Sequence, residues 1–357
     1  MNAESYQIAL LKGDGIGPEV IDAALAVLER AGTVYGIELH YQAFEAGAQY
    51  YRRTGESIAA ASMEMIGKFD AILLGAMGLP DVRKPDGTEV APQIDIRERY
   101  KLFASLRPAR LFKGVPGPLR AATVDMLVIR ETTEGLFAGR HDKLEPSDSS
   151  VSDRMTITRA TSEKLFELAF AQARLRRRQG RPGHVALFDK ANVLRSNAFL
   201  RKIFDEVAAR HPDIGADRLY IDAGAMMMVM NPARFDVIVT ENVFGDITSE
   251  IAAGLVGGLG VAPSADVSHD HAVFQPCHGT APDIAGKGIA NPVAAILSAA
   301  MMLDWIGERH KDGACLNAAA AVRTATARVL ESGPRTRDAG GTASTEKVAA
   351  AIAASIF

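Results

Sequence analysis

Short apolar runs alternate with longer segments of helical periodicity along most of the chain. Helical patterns separate most of these runs, which predicts an α/β chain with a substantially parallel sheet. After the first run, a helix is expected from Pro18, with Gly32 suited to its C-terminal cap. The predicted strands are IALL (8–11), AILLGA (71–76), DMLVIRE (125–131), HVALFDK (184–190), RLYID (218–222) and FDVIVT (235–240).

Charge and length limit the classes of function. The chain has 357 residues, with 40 Lys and Arg against 43 Asp and Glu, so its net charge is −3. This charge balance does not indicate nucleic-acid binding. The densest basic run, RLRRRQGRP (174–182), closes a helical pattern, SEKLFELAFAQARLRRR. Because cations suit the C-terminal end of a helix dipole, we prefer a structural role for this run to RNA binding.

Neither a membrane span nor a disulfide framework is expected. The most membrane-like stretch, residues 292–307, is shorter than the roughly 20 residues that a span needs, and Asp304 interrupts it. The opening residues, MNAESYQIALLKGD, lack the basic and apolar regions of a signal peptide. Two cysteines are too few for a disulfide framework. We therefore expect a cytoplasmic protein with no membrane partner.

The glycine-rich segment KGDGIGPEV (12–20) does not match the known phosphate-binding loops. Pro18 stands where the motif G-x-G-x-x-G requires its last glycine, and the G-K-[ST] end of a P-loop is missing. The signatures G-x-S-x-G and H-E-x-x-H are also absent from the chain. The segment is therefore predicted to be a tight turn between a strand and a helix.

Cations and carboxylates fall at or near the ends of several predicted strands, where ligands collect in α/β sheets. Three arginines could clamp two carboxylates, and three acidic side chains could supply oxygens to Mg²⁺ or Mn²⁺. A lysine beside such a metal would have a lowered pKa and could move a proton. The candidates are Arg97, Arg107, Arg130, Lys190, Asp222, Asp246 and Glu250.

Each of these residues also has a structural interpretation. A single charged side chain can be a surface ion pair or a helix cap, and Asp246, just after Gly245, suits an N-cap. If a helix begins near Asp246, Glu250 lies one turn further on the same face. As a set, however, the residues suit one kind of ligand, a metal-chelated hydroxy di-acid.

Six blocks in one order resemble the isocitrate/isopropylmalate dehydrogenase family of metal-dependent β-decarboxylating dehydrogenases, closest in kind to 3-isopropylmalate, tartrate and D-malate dehydrogenases. The blocks are LLKGDGIGPEV, LRPARLF, VIRETTEG, DKANVL, NPARFDVIVTENVFGD and HGTAPDIAGKGIANP. The resemblance implies an α/β, isopropylmalate-dehydrogenase-like two-domain fold with a mostly parallel central sheet, not a Rossmann fold. It also implies a discontinuous cofactor-binding domain, residues 1–102 plus 257–357, and a metal, substrate and dimerisation domain, residues 103–256.

The resemblance assigns roles to the charged candidates. Asp222, Asp246 and Glu250 stand at the positions that bind Mg²⁺ or Mn²⁺, and Arg97, Arg107 and Arg130 stand where the family grips substrate carboxylates. Lys190 and Asp222 stand at catalytic positions, and in the family both reach in from the partner subunit. A homodimer is therefore expected.

The same resemblance implies that NAD lies along HGTAPDIAGKGIAN. Asp283 can accept hydrogen bonds from ribose hydroxyls and would repel a 2′-phosphate, which favours NAD over NADP. The family's NADP users tend to carry Lys and Tyr at positions 283 and 284. The expected cofactor-binding residues are Ile16, His278, Gly279, Thr280, Ala281, Pro282, Asp283, Ile284 and Asn291.

Three residues depart from the family pattern. Phe137 replaces the tyrosine that supports proton delivery after decarboxylation, Glu250 stands where aspartate is usual, and Gln275 replaces a glutamate. Substrate choice is expected just before the first arginine, where Gln93 disfavours an isopropyl pocket and Ile94 keeps some apolar surface.

The expected function is NAD- and divalent-metal-dependent oxidation, with β-decarboxylation, of a (2R)-malate-type 2-hydroxy dicarboxylic acid with a small or partly polar 3-substituent. Two alternatives remain open. One is a tartrate-like oxidation without decarboxylation. The other is a non-catalytic, ligand-binding regulatory subunit, to which Phe137 and Gln275 give weight.

Overall fold

The computed structural model describes residues 4–119, 123–142 and 149–357. Strands and helices alternate through much of this part of the chain, as the apolar pattern predicts. The strands are β1 (Glu4–Leu11), β2 (Ile37–Ala43), β3 (Ala71–Leu74), β4 (Ala104–Arg110), β5 (Asp125–Glu131), β6 (His184–Asp189), β7 (Gly215–Tyr220), β8 (Val237–Thr240), β9 (Pro263–Val267) and β10 (Ala272–Pro276). The α-helices are α1 (Gly17–Tyr35), α2 (Ala48–Thr54), α3 (Ala60–Ile66), α4 (Pro92–Arg99), α5 (Arg159–Arg178), α6 (Arg195–Ala208), α7 (Ile221–Met230), α8 (Asn242–Leu255), α9 (Val293–His310), α10 (Gly313–Ser332) and α11 (Thr345–Ala354). Short 3₁₀ helices span Phe137–His141, Pro232–Arg234 and Leu259–Val261.

The chain divides into two compact units. The terminal unit comprises Met1–Tyr100, Leu111–Pro118 and Val256–Phe357, and the central unit comprises Lys101–Arg110 and Leu119–Leu255. The boundaries expected from the sequence assigned residues 111–118 to the central part of the chain, whereas these residues pack with the terminal unit.

The terminal unit contains strands in the order β2-β1-β3-β10-β9, parallel except for the antiparallel pair β10 and β9. Helix α9, which corresponds to the membrane-like stretch of the sequence, is a core helix with twelve buried residues. Of the helices in the described residues, none is both long and apolar enough to cross a membrane.

The central unit contains strands in the order β4-β5-β8-β6-β7. Strand β4 is antiparallel to β5, and the other pairings are parallel. The carboxyl ends of β5, β8 and β6 therefore lie at one edge, and so do their amino ends. The α/β class and the mostly parallel pairing are confirmed.

Helix α1 ends later than its glycines suggested. It continues to Tyr35, and Gly36, with φ of 70°, forms the left-handed C-terminal cap. Gly32 lies buried inside the helix, where a Cβ atom would stand 2.7 Å from the carbonyl oxygen of Ile37. The prediction that Gly32 caps the helix is wrong, because this glycine serves close packing against the start of β2.

The segment RLYID also divides differently from the prediction. Strand β7 stops at Tyr220, opposite Asp189 at the end of β6, and Ile221 begins α7. Without a pairing partner the strand ends, and Asp222 lies in the first turn of a helix, where the helix dipole favours an acid. Asp222 is therefore not at a strand terminus.

Most arginines of the basic run, which begins in the last turns of α5, pair with acids of the central unit. Arg174 and Arg177 pair with Asp213 at 2.7 and 3.2 Å. Arg176 contacts Asp236 at 2.5 Å. We call Asp125, Arg176, Arg181 and Asp236 the amino-end cluster, because they meet where β5, β6 and β8 begin. The structural interpretation of the basic run is confirmed.

Candidate active site

Helix α8 follows β8 directly and carries most of the predicted acidic site. The Glu241 carboxylate accepts hydrogen bonds from the backbone N–H groups of Val243, at 3.1 Å, and Phe244, at 2.8 Å. Glu241 therefore caps the helix. Asp246 lies in the second turn, so the prediction that Asp246 is an N-cap is wrong.

Four polar residues of α8 share one helical face. Asn242, Asp246, Ser249 and Glu250 follow the spacing of four, seven and eight residues that one face of an α-helix requires. The predicted pairing of Asp246 and Glu250 on one face is confirmed. Because α8 contacts β4 and β5, this face meets the arginines of those strands.

Arg130, near the end of β5, binds the beginning of that face. Its Nε and Nη2 atoms donate to Asn242 Oδ1 at 3.1 and 2.8 Å, and Nη1 contacts Asp246 Oδ1. A Cβ atom on Gly245 would stand 2.6 Å from Arg130 Cγ. Glycine at 245 therefore allows α8 to pack closely against the arginine.

Arg107, on β4, binds the end of the same face. Its Nη1 atom donates to Ser249 Oγ at 3.1 Å and lies 3.8 Å from both Asp246 Oδ1 and Glu250 Oε1. Only 10% of the Arg107 side chain is exposed, against 44% of Asp246 and 47% of Glu250. We call Arg107, Arg130, Asp246 and Glu250 the carboxyl-end cluster: its cations are buried, and its acids are open to solvent.

Burial raises the pKa of Glu250, and the nearby charge of Asp246 acts in the same direction, while Arg107 opposes it. Glu250 thus resists ionisation in its place beside Asp246. Oxygen donors of this kind suit Mg²⁺ or Mn²⁺, and a cation bound there would stabilise the charged form of both.

Phe137 begins the 3₁₀ helix after β5, and its ring lies against the same cluster. The guanidinium carbon of Arg130 lies 5.4 Å from the centre of the ring. The contact is a cation–π interaction, which a phenyl ring makes without a hydroxyl group. The residue at the family's tyrosine position is thus adjacent to a predicted substrate arginine.

Lys190 and Asp222 form a separate pair in the central unit. Lys190 Nζ lies 2.8 Å from Asp222 Oδ1, and this hydrogen bond lowers the pKa of Asp222. Within residues 4–119, 123–142 and 149–357, no group of three or more His, Cys, Asp or Glu side chains is arranged to hold a metal. One chain therefore brings together Asp246 and Glu250, but it does not add Asp222 to them.

The remaining predicted substrate residues lie on α4 of the terminal unit. Arg97 is buried, and its Nε atom donates to Asp266 Oδ2 at 2.8 Å. Gln93, four residues earlier, has its amide oxygen buried without a hydrogen-bond partner. Ile94 is half-buried. This helix therefore offers one anchored cation and one unsatisfied acceptor.

The glycine turn after β1 meets the predicted cofactor segment. Ile16 N donates to Thr280 O at 2.9 Å, and a Cβ atom on Gly15, whose φ is +57°, would stand 2.1 Å from that oxygen. The prediction of a tight turn is confirmed, and Gly15 is needed for contact with the segment that begins at His278.

Two residues of that segment have contrasting surroundings. His278 Nδ1 lies 2.9 Å from Gly279 O, its Nε2 atom is buried without a partner, and burial lowers its pKa. Asn291, in contrast, donates to Asp338 at 2.8 Å and accepts from Val293 N, the first backbone donor of α9, at 3.1 Å. Thr280 is buried, His278, Ala281 and Ile284 are half-buried, and Gly279, Pro282 and Asp283 are exposed.

The sequence-based search missed residues that position the charged groups. Asn242 and Ser249 bind Arg130 and Arg107, and Asp266 binds Arg97. The helical spacing of Asn242 and Ser249 from Asp246 was a usable signal. Asp266 gave no comparable signal, because it lies 169 positions from its partner.

Comparison with known proteins identifies the family of the chain. The profile of the isocitrate/isopropylmalate dehydrogenase family matches residues 7–352. The chain is 40% identical over 351 residues to 3-isopropylmalate/3-methylmalate dehydrogenase of Methanocaldococcus jannaschii, covering 98% of both chains. It is 44% identical over 353 residues to isocitrate/homoisocitrate dehydrogenase of Thermus thermophilus, also covering 98% of both.

Among solved structures, isocitrate dehydrogenase from Methylococcus capsulatus superimposes with a TM-score of 0.86 at 35% identity, covering 98% of this chain and 99% of that one. A match at this level extends over both compact units. The chain belongs to the isocitrate/isopropylmalate dehydrogenase family, whose members are β-decarboxylating dehydrogenases of hydroxy acids.

Proposed function

We propose that this protein oxidises a (2R)-malate-type 2-hydroxy dicarboxylic acid, with NAD and a divalent cation, and then releases the β-carboxylate as CO₂. The observation that carries the proposal is the carboxyl-end cluster. Two buried arginines there face two half-exposed carboxylates on one side of α8. Such a cluster can bind an anionic ligand and a cation together.

The arginines would bind and orient the substrate. Arg107 and Arg130 are held by Ser249 and Asn242, so their guanidinium groups are preorganised for carboxylates. Arg97 is included as a third carboxylate-binding residue on the basis of its family position. Preorganised cations also stabilise negative charge that develops during the reaction.

The donor set suits Mg²⁺ or Mn²⁺. Asp246 and Glu250 would supply carboxylate oxygens, and Asp222 of a second copy would complete the set. With both groups bound, the cation would stabilise negative charge on the C2 oxygen of the substrate, and the nicotinamide would accept the hydride.

Lys190 would take the proton of the substrate's 2-hydroxyl group. To accept this proton Lys190 must be the neutral amine, which then becomes the ammonium ion. Its Nζ atom lies 2.8 Å from Asp222 Oδ1, which holds it in position. Phe137 has no proton to donate, so the proton that reaches C3 after decarboxylation must come from water or another side chain.

Residues of the terminal unit fit a dinucleotide. The buried, unpartnered Nε2 atom of His278 is a polar atom that a ligand can satisfy. Gly279 has open space around it, with no atom within 4 Å of a Cβ placed there. Asp283 is exposed and available to ribose hydroxyls. The cofactor proposed is NAD.

A homodimer is part of the proposal. Helix α7 exposes Met226, Val229 and Met230 at 55%, 46% and 72%, and α8 exposes Ile247 at 54%. Apolar side chains this exposed on two contacting helices favour burial against a second copy. The same dimer would deliver Lys190 and Asp222. A cytoplasmic location is also proposed, in keeping with a chain that has only two cysteines.

Gln93 favours a polar 3-substituent. Its buried amide oxygen requires a hydrogen-bond donor, which an isopropyl group cannot provide and a hydroxyl group can. This observation supports a second candidate reaction, the oxidation of a tartrate-type acid, in which the 3-substituent is a hydroxyl group.

A substrate panel tests both candidates. The purified protein is assayed for NADH and CO₂ with D-malate, tartrate, 3-isopropylmalate, isocitrate and homoisocitrate, with and without Mn²⁺. We expect Mn²⁺-dependent NADH formation, with CO₂ released in equal amount if decarboxylation follows oxidation. NADH without CO₂ on tartrate would select the second candidate. No NADH with any of the five acids would reject both and favour a regulatory subunit.

A further inference from the structure

Arg97 is held from the side by a buried carboxylate. Its side chain is 7% exposed, and that of Asp266, on β9, is 1% exposed. Arg97 Nε donates to Asp266 Oδ2 at 2.8 Å. A buried guanidinium needs a counter-charge, and this one is supplied within the terminal unit.

The contact uses the inner edge of the guanidinium group. Nε lies next to the side-chain stem, and the two terminal nitrogens point away from it. Among the described residues, neither terminal nitrogen of Arg97 has a hydrogen-bond partner. The plane of the group is thus fixed through Nε, while the pair of nitrogens suited to a bidentate carboxylate remains available.

Gln275 completes the arrangement. Its Nε2 atom donates to the same Asp266 Oδ2 at 2.9 Å. Its backbone oxygen accepts from Ser264 and Ser298 at 3.0 and 2.8 Å, so β10 is held rigidly here. A glutamate at 275 would place a second negative charge against Asp266, and two buried carboxylates at that distance repel each other.

We propose that Asp266 is a positioning residue for Arg97, and that Gln275 is an amide because Asp266 already carries the one negative charge beside the arginine. The departure at position 275 is then a relocation of a carboxylate, not its loss. This inference rests on the proposed function, in which Arg97 binds a substrate carboxylate. It removes Gln275 as an argument for a non-catalytic chain.

Four variants test the two parts of the inference. Asp266→Ala removes the acceptor of Arg97 Nε, whereas Asp266→Asn keeps an acceptor and removes the charge. Gln275→Glu adds a charge beside Asp266. The double variant Asp266→Asn with Gln275→Glu keeps a chain of hydrogen bonds from Arg97 through Asn to Glu, with one negative charge.

We expect Asp266→Ala to raise KM for D-malate by about tenfold or more, with kcat within about threefold of the parent value, because orientation of the carboxylate is lost. Asp266→Asn should return KM to within about threefold. Gln275→Glu should raise KM by about tenfold through repulsion, and the double variant should recover it.

Calorimetric titration of D-malate in the presence of Mn²⁺ and absence of NAD gives a second readout, independent of turnover. Affinities should follow the same order as 1/KM. The control is Asp304→Asn, which weakens the half-exposed pair with Arg323 in the same unit and should change neither quantity.

The positioning role is overturned if Asp266→Asn binds D-malate as weakly as Asp266→Ala, or if Asp266→Ala lowers kcat with KM and affinity unchanged. The proposed relocation of the carboxylate is overturned if the double variant binds D-malate more weakly than Gln275→Glu does. Failure of the proposed function has a different signature: the unsubstituted protein itself forms no NADH, whereas the order of affinities still decides the role of Asp266.

Discussion

At the amino ends of the central strands, Arg176 and Arg181 pair with Asp125 and Asp236, whereas at the carboxyl ends Arg107 and Arg130 face the acids of α8. Asp236 is 0% exposed, and the side chains of Arg176 and Asp125 are each 13% exposed. Arg181 is 37% exposed. At the carboxyl end Arg107 and Arg130 are only 10% and 3% exposed, but Asp246 and Glu250 are 44% and 47% exposed.

The difference separates a structural cluster from the one that we propose to be functional. Asp236 receives Arg176 Nε at 2.5 Å and the backbone N–H groups of Gly183 and His184 at 2.6 and 3.2 Å, so its acceptor capacity is filled from within the protein. The acids of the carboxyl-end cluster keep oxygens towards solvent. A buried, satisfied ion pair ties elements together, and an open one can exchange solvent for a ligand.

The largest expected effect is on activity at the carboxyl end. Asp246→Asn should lower kcat/KM by roughly 10³-fold, because it removes a charged oxygen donor for the cation. The free energy of unfolding should change less than in a variant of the amino-end cluster, since Asp246 is 44% exposed and Asn242 still accepts from Arg130. The control is Asp217→Asn, which has the same exposure of about 45% and pairs with Arg234 on the surface. Equal losses in both variants would contradict the assignment.

In the amino-end cluster, a substitution should lower the free energy of unfolding and leave activity nearly unchanged. Asp236→Asn removes one of the two acids that pair with buried Arg176 and turns an amide N–H₂ group towards backbone donors. Urea unfolding should show a loss of about 3–5 kcal/mol, with kcat/KM of the folded protein within about twofold. If kcat/KM fell strongly while the free energy of unfolding stayed the same, the two ends would not differ in the way we describe.

A pH-dependent effect on stability is expected from Glu131, the residue after Arg130 in the sequence. Its carboxylate contacts uncharged hydrogen-bond donors. It accepts from Thr133 N and Oγ1, both at 2.7 Å, and from Glu134 N at 2.8 Å, yet burial raises its pKa to about 7. Because the folded pKa lies above the unfolded value of 4.5, the stabilisation is complete below about pH 4.5 and is lost as pH rises through about 7.

Urea titrations at several pH values measure this contribution. The unfolding free energy of the parent protein, relative to Glu131→Gln, should fall by up to about 3 kcal/mol between pH 5 and 8. Asp142→Asn, which removes an exposed pairing with Arg154, serves as the control. A difference that does not vary with pH would mean that the three donors hold Glu131 ionised.

The smallest expected effect tests the ring beside Arg130. Phe137→Tyr restores a proton donor next to the cluster and should raise turnover of a decarboxylating substrate by up to about tenfold. Phe137→Leu controls for ring shape and should not raise it. A drop with tyrosine would instead indicate a pocket shaped around the phenyl ring, and would separate this site from the family's usual proton delivery.

Local patterns predicted much of the fold, because periodicity records which face of an element is buried. DMLVIRE is β5 residue for residue, and the spacing of Asp246 and Glu250 put them on one helical face. The errors concern the ends of elements. Gly32, Asp222 and the cap of α8 were misassigned, because ends depend on what an element packs against or pairs with.

By itself, the sequence determined the α/β class, the family and the set of charged residues, since all of these are written in residue type and order. Only the tertiary structure decided which cation meets which acid. Arg130 meets Asp246, 116 positions away, whereas Arg97 meets Asp266, 169 positions away. Such pairings are products of chain topology and packing, and no local periodicity encodes them.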